Sequence, residues 1–113
     1  MARVSHTAAT TSGKYPTAPT TVTATAADTT NKEQTELTGR EIIIFRNSGA
    51  STRNVTITST ADDKNRTGDV TFSLAAGAIK FIGPLGLEGW RQSSGVLYFE
   101  ADHAEVLISV LRV

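Results

Sequence analysis

The residues able to do chemistry are few, and their spacing decides against most of what they could do. Asp63-Lys64-Asn65-Arg66-Thr67-Gly68-Asp69 places oxygen ligands at alternate positions and glycine at the sixth, as a calcium loop of the EF-hand type begins. The closing bidentate Glu belongs at the twelfth position; Leu74 stands there, and Lys64 and Arg66 oppose a cation. The stretch therefore reads as a solvated hairpin loop. His6 and His103 are the two histidines, and Asp102 adjoins the second, but no Gly-x-Ser-x-Gly elbow supplies a nucleophile for a Ser-His-Asp relay. Glu88, Glu100, Asp102 and Glu105 could be paired on paper as glycosidase carboxylates, yet all lie in or beside expected turns, where acids are ordinary. Gly83 to Gly89 holds no phosphate-loop lysine and precedes no helix. The sequons at Asn54 and Asn65 carry no meaning without a secretory signal. No catalytic residue, metal ligand or cofactor is expected.

Trp90 is the single tryptophan, set between Gly89 and Arg91 behind Leu85 and Leu87. Two roles fit it: an anchor closing the end of a core, its indole N–H satisfied by backbone, or an interface hot spot with Arg91.

These residues must be held by strands. Glu41–Arg46 is β-branched and aromatic, and in Arg53–Thr60 the apolar Val55 and Ile57 alternate with Thr56 and Thr58. With Asn47–Thr52 between them, the stretch predicts a hairpin around which the chain is built. Val70, Phe72 and Leu74 alternate toward a core, and Ile79 and Phe81 share one face of the next strand, which Gly83-Pro84 ends. Val96–Glu100 and Val106–Leu111 complete the set; both are apolar on both faces, which demands cover by the N-terminal segment, a loop or another protomer. Short strands with glycine-bearing turns and no helical period predict an all-β sandwich or barrel, and of the two an antiparallel, jelly-roll-like β-sandwich is expected.

The first 36 residues are rich in Thr and Ala, with Val4, Tyr15 and Val22 as the sizeable apolar groups. Residues 1–19 are assigned to an extended or flexible arm and 20–113 to the sandwich domain, with Thr20–Ala26 as an edge strand and Asp28–Lys32 as a turn. Extended, the arm would span about 65–70 Å, enough to cross a neighbouring subunit. Tyr15, Pro16, Pro19 and Val22 are its candidate contacts; Leu85, Leu87, Trp90 and Arg91 are the second candidate interface.

A chain of 113 residues holds one domain, and the body after Leu37 is small enough that a partner would help its core. Eleven basic and eleven acidic side chains cancel, which argues against a general nucleic-acid binder and against attraction to an anionic membrane. Without cysteine there is neither a disulfide framework nor a thiolate metal site. Met-Ala-Arg-Val-Ser-His has no apolar h-region, so no secretory signal is expected, and no stretch approaches the roughly 18 apolar residues of a membrane helix.

One resemblance can be stated. Thr38-Gly39-Arg40-Glu41, Asn47-Ser48-Gly49-Ala50, Asn54–Ser59, Arg66-Thr67-Gly68-Asp69, Ala75-Ala76-Gly77 and Gly83-Pro84-Leu85 stand in order with Trp90-Arg91-Gln92-Ser93 and Tyr98–Asp102. Over roughly residues 20–113 this resembles small head proteins of tailed bacteriophages, of the capsid decoration or cement type. The resemblance implies a structural virion protein, not an enzyme, made in the host cytoplasm and carried on the capsid exterior. Its partners would be the major capsid protein and further copies of itself, most simply as a homotrimer. Two alternatives stand beside it: a neck, tail-adaptor or head-fibre base protein, and a surface-binding β-sandwich module stacking ligands on Trp90, Tyr98 and Tyr15.

Overall fold

The computed structural model describes residues 3–11, 18–61, 64–65 and 67–113. Among these described residues ten strands follow in order: β1 (Val4–His6), β2 (Ala9–Thr10), β3 (Thr25–Ala26), β4 (Glu33–Glu36), β5 (Glu41–Asn47), β6 (Arg53–Thr58), β7 (Val70–Leu74), β8 (Ile79–Ile82), β9 (Val96–Ala101) and β10 (Val106–Arg112). They form two packed sheets, β1-β4-β9-β6-β7 and β2-β10-β5-β8, with β3 beside β2 along β10. The all-β sandwich is as expected. The sheets are mixed rather than antiparallel, because β1 runs parallel to β4 and β2 parallel to β10.

The core lies where the inward positions of both sheets meet. From the first sheet come Val55, Ile57, Leu74, Leu97 and Phe99, from the second Ile43, Phe45, Val106, Ile108 and Val110, all buried. Phe45 stands edge-on to Phe72 and Phe99, at 5.6 and 5.9 Å between centroids, an arrangement aromatic rings prefer. Val70, Phe72 and Leu74 face this core, as their alternation predicts.

The central hairpin does not form. β5 and β6 lie in different sheets, β5 paired with β10 and β8, β6 with β7 and β9. The link between them arches over the end of the sandwich. Asn47, fully buried, holds it: its amide donates to the Ser51 carbonyl at 2.6 Å and the Leu74 carbonyl at 3.0 Å, and its oxygen accepts the Gly49 N–H. Ile43 and Phe45 thereby face Val55 and Ile57 across the core instead of lying alongside them. From β4 to β10 every step changes sheet except β6 to β7. That one hairpin is closed by Asp69, which accepts from the N–H and hydroxyl of Ser59. The candidate calcium ligand is thus occupied in the turn; Asp63 and Arg66 lie outside the described residues.

The N-terminal segment differs most from expectation. Val4–His6 pairs with β4 and Ala9–Thr10 with β10, so residues 4–10 complete this chain's own sheets rather than standing off as an arm. Arg3 explains part of the attachment: its guanidinium lies 4.1 Å from the Tyr98 ring centroid and donates to the carbonyls of Glu33 and Phe99. The strand expected at Thr20–Ala26 shrinks to Thr25–Ala26. The Asp28 turn forms, the carboxylate accepting from the N–H groups of Thr30 and Asn31. β4, which follows it, has no apolar residue to announce it.

Candidate docking surface

The outward positions of the two sheets are chemically opposite. On the first sheet Thr56 lies between Thr71 and Glu100, and Thr58, Tyr98, Gln34 and Ser5 form the next row. Glu100 is paired with Lys32 at 2.6 Å, and Tyr98 is covered by Arg3. This face is built of hydroxyls, amides and paired charges, as suits contact with water.

The second sheet presents hydrocarbon. Leu111 lies beside Ile42 and Ala9; Ser109, Ile44 and Phe81 form the middle row; Ala26, Leu107, Arg46 and Ile79 the third. Ile79 and Phe81 are 62% and 67% exposed, and Ile42, Ile44, Leu107 and Leu111 are half-buried. Arg46 is the single charged side chain in these rows. Strand spacing and rise give the patch an area on the order of 400 Å². That is the size of the largest apolar patches on monomers, which are commonly interaction sites.

Local sequence explains why it forms. β5 and β10 are hydrophobic at consecutive positions, so burying Ile43, Phe45, Ile108 and Val110 sends Ile42, Ile44, Leu107 and Leu111 outward. β8, at the sheet edge, adds Ile79 and Phe81 and stops at Gly83. That glycine has φ +114°, and a Cβ there would meet the Glu41 carbonyl at 2.5 Å. One end of the sheet is clamped on its inner side by charge. Glu41 is fully buried and receives hydrogen bonds from the Thr38 N–H (2.7 Å), the Thr38 hydroxyl (2.8 Å) and the Arg112 guanidinium. Burial acts to raise the pKa of this carboxyl, but the donors from Thr38, Arg112 and Arg40 prevail and hold it at about 2.

The sequence candidates are dispersed. Leu85 and Trp90 are half-buried and pack against the core, in keeping with the anchoring role for the indole. Leu87, 40% exposed, and Arg91 instead line a hollow of about 430 Å³ with Glu36 and Thr38, at an end of the sandwich. Pro19 is exposed and Val22 is 43% exposed; Tyr15 and Pro16 lie outside the described residues. The apolar face escaped the sequence reading as a site, although its signal was present in the doubly apolar run of β10. β2 and β3 lie alongside β10 in the same sheet, so they extend its outward face at the edge rather than cover it.

His103 sits in the β9–β10 turn, its Nδ1 accepting the Glu105 N–H at 3.0 Å. His6, expected in a loose arm, is instead buried between the sheets against Phe99. Among the described residues no group of three or more His, Asp or Glu side chains is arranged to hold a metal, and no helix is long and apolar enough to cross a membrane. Comparison with family models, curated proteins and solved structures returned no match to this chain.

Proposed function

We propose that this chain is a structural virion protein of the decoration or cement type, which seats the apolar outer face of its second sheet on an assembled bacteriophage head. The observation that carries the reading is the opposition of the two outer faces: one greasy around Ile44, Phe81 and Leu107, the other of threonines and paired charges. A module so divided has a side to bury and a side to leave in water. The resemblance in turn motifs across residues 20–113 points to the same role.

The mechanism is thermodynamic. A protein that binds the assembled shell and not its free subunits stabilises the shell by mass action. Arrangement as a homotrimer would multiply a thin contact through effective concentration. The major capsid protein is the partner, and zero formal net charge suits docking by shape and apolar area rather than by electrostatic attraction. Tyr15, Pro16, Pro19 and Val22 remain the candidate second contact to a neighbour, and the hollow beside Leu87 and Arg91 a third.

Co-sedimentation with purified empty heads tests this. The protein is expected to pellet with heads and to stay in solution with unassembled capsid subunits. Failure to pellet at tens of micromolar would overturn the reading, and labelled protein confined to one vertex would replace it with the neck or tail-adaptor role.

A further inference from the structure

We propose that the free edge of β10 has two alternative occupants, and that exchanging β2 for a longer β3 broadens the apolar face. β5 pairs with one side of β10 along its whole length, so β2 and β3 share the other. There β3 lies opposite Leu107 and Ile108, and β2 opposite Leu111 and Arg112. Ser109 and Val110, between them, have no strand partner on this side. β3 runs antiparallel, Ala26 beside Leu107 and Thr25 beside Ile108. Continued in that register, Ala24 meets Ser109, Thr23 meets Val110 and Val22 meets Leu111. Leu111 is already paired with Ala9 of β2. One stretch of edge cannot hold both segments, which is why the strand expected at Thr20–Ala26 reaches back only to Thr25.

The sequence of the segment suits the longer strand. Thr21-Val22-Thr23-Ala24-Thr25-Ala26 alternates hydroxyl with hydrocarbon, the period of a strand with one wet face. The register fixes its phase. Ala26 lies in the apolar row with Leu107, so Ala24 and Val22 fall on the same outer face, beside Ser109 and Leu111. The segment also stands close to that place: Thr23 and Val110, which the register would pair, both line a hollow of about 300 Å³. As described, Thr21–Ala24 is exposed, Val22 at 43%. What holds β2 is slight: two paired residues, the Thr11 N–H donating to the Arg112 carbonyl at 3.0 Å, and Ala8 packed against the core. β1 is held separately, by β4 and by Arg3, and keeps its place in either form.

In the exchanged form Val22 replaces Ala9 beside Leu111, and Ala24 fills the end of the middle row beside Ser109. The apolar face is then bordered by one continuous strand. A partner seated on that face touches Val22 and Ala24 in this arrangement only after the exchange, so its binding draws the equilibrium toward the longer β3. This last step rests on the docking role proposed above; the exchange itself does not.

The test is disulfide trapping, in a chain with no cysteine of its own. The Ala27 N–H donates to the Val106 carbonyl, which makes Val22 and Leu111 a non-hydrogen-bonded pair, the kind whose Cα atoms approach to about 4.5 Å. Val22→Cys/Leu111→Cys is compared with Thr21→Cys/Leu111→Cys, which is one residue out of register and turns the first thiol to the other face. With oxidised glutathione the in-register pair is expected to cross-link within one chain at least tenfold faster. The cross-linked protein is expected to lose at least tenfold of the hydrogen-exchange protection of the Thr11 amide and to regain it on reduction. Equal rates for the two pairs, or no intrachain cross-link in protein that still unfolds cooperatively, would overturn the proposal. So would a Thr11 amide that stays protected in the cross-linked form, since both strands would then share the edge. No heads enter this test, so its failure leaves the docking reading to be decided by co-sedimentation.

Discussion

Glu41 shows how much a single side chain carries. Its carboxylate sits at zero exposure where β5 begins and ties the 37–40 link to Arg112 on the last strand. With its pKa held at about 2 in the fold, below the ordinary 4.5, its contribution is present above pH 4.5 and is lost as pH falls through about 2. Glu41→Gln is therefore expected to lower stability at pH 7 by up to about 3 kcal/mol. In urea unfolding, the gap between natural and variant protein should close toward pH 2. At this scale the sequence was half legible. Val55, Ile57, Val70, Phe72 and Leu74 show their inward face by alternation alone. Glu33, Glu41 and Asn47 do not, because the groups that make their burial tolerable, such as Arg112 for Glu41 and the Leu74 carbonyl for Asn47, lie 71 and 27 residues away.

Among the elements, the links decide the architecture. Asn47, Ser48 and Gly49 are turn residues, and turn chemistry alone does not distinguish a hairpin from an arch between layers. The distinction is made by the Asn47 side chain, which reaches the end of β7, and by the Ser48 N–H and hydroxyl, which bind the Glu105 carbonyl. Asn47→Ala would leave the carbonyls of Ser51 and Leu74 without this donor. A loss of roughly 1–3 kcal/mol is expected in denaturant unfolding, with the slope of the transition unchanged. β4 was invisible for a different reason. Glu33-Gln34-Thr35-Glu36 has no hydrophobic period, yet its inward groups are met by the Asp28 N–H and by the carbonyl of His6, which accepts the Thr35 hydroxyl. A strand whose inner face is polar can be recognised only once its neighbours are known.

For the whole molecule, the sandwich is polarised across its thickness, and this asymmetry underlies the functional proposal. The doubly apolar β10 was readable in the sequence as surface needing cover. That Ile42, Ile44, Ile79 and Phe81 join it on one continuous face was not, since it depends on β5 lying between β10 and β8. Phe81 is two-thirds exposed, so Phe81→Glu should change the stability of the free protein by no more than about 0.5 kcal/mol. It places a charge in the middle row of the apolar face. Thr71→Glu places the same charge on the opposite, hydroxyl-rich face. The most direct measurement is co-sedimentation of these two variants with empty heads, each first shown to melt like the natural protein. The account predicts that Phe81→Glu stays in the supernatant while Thr71→Glu pellets; pelleting of Phe81→Glu to the natural extent, or loss of binding in Thr71→Glu instead, would contradict it.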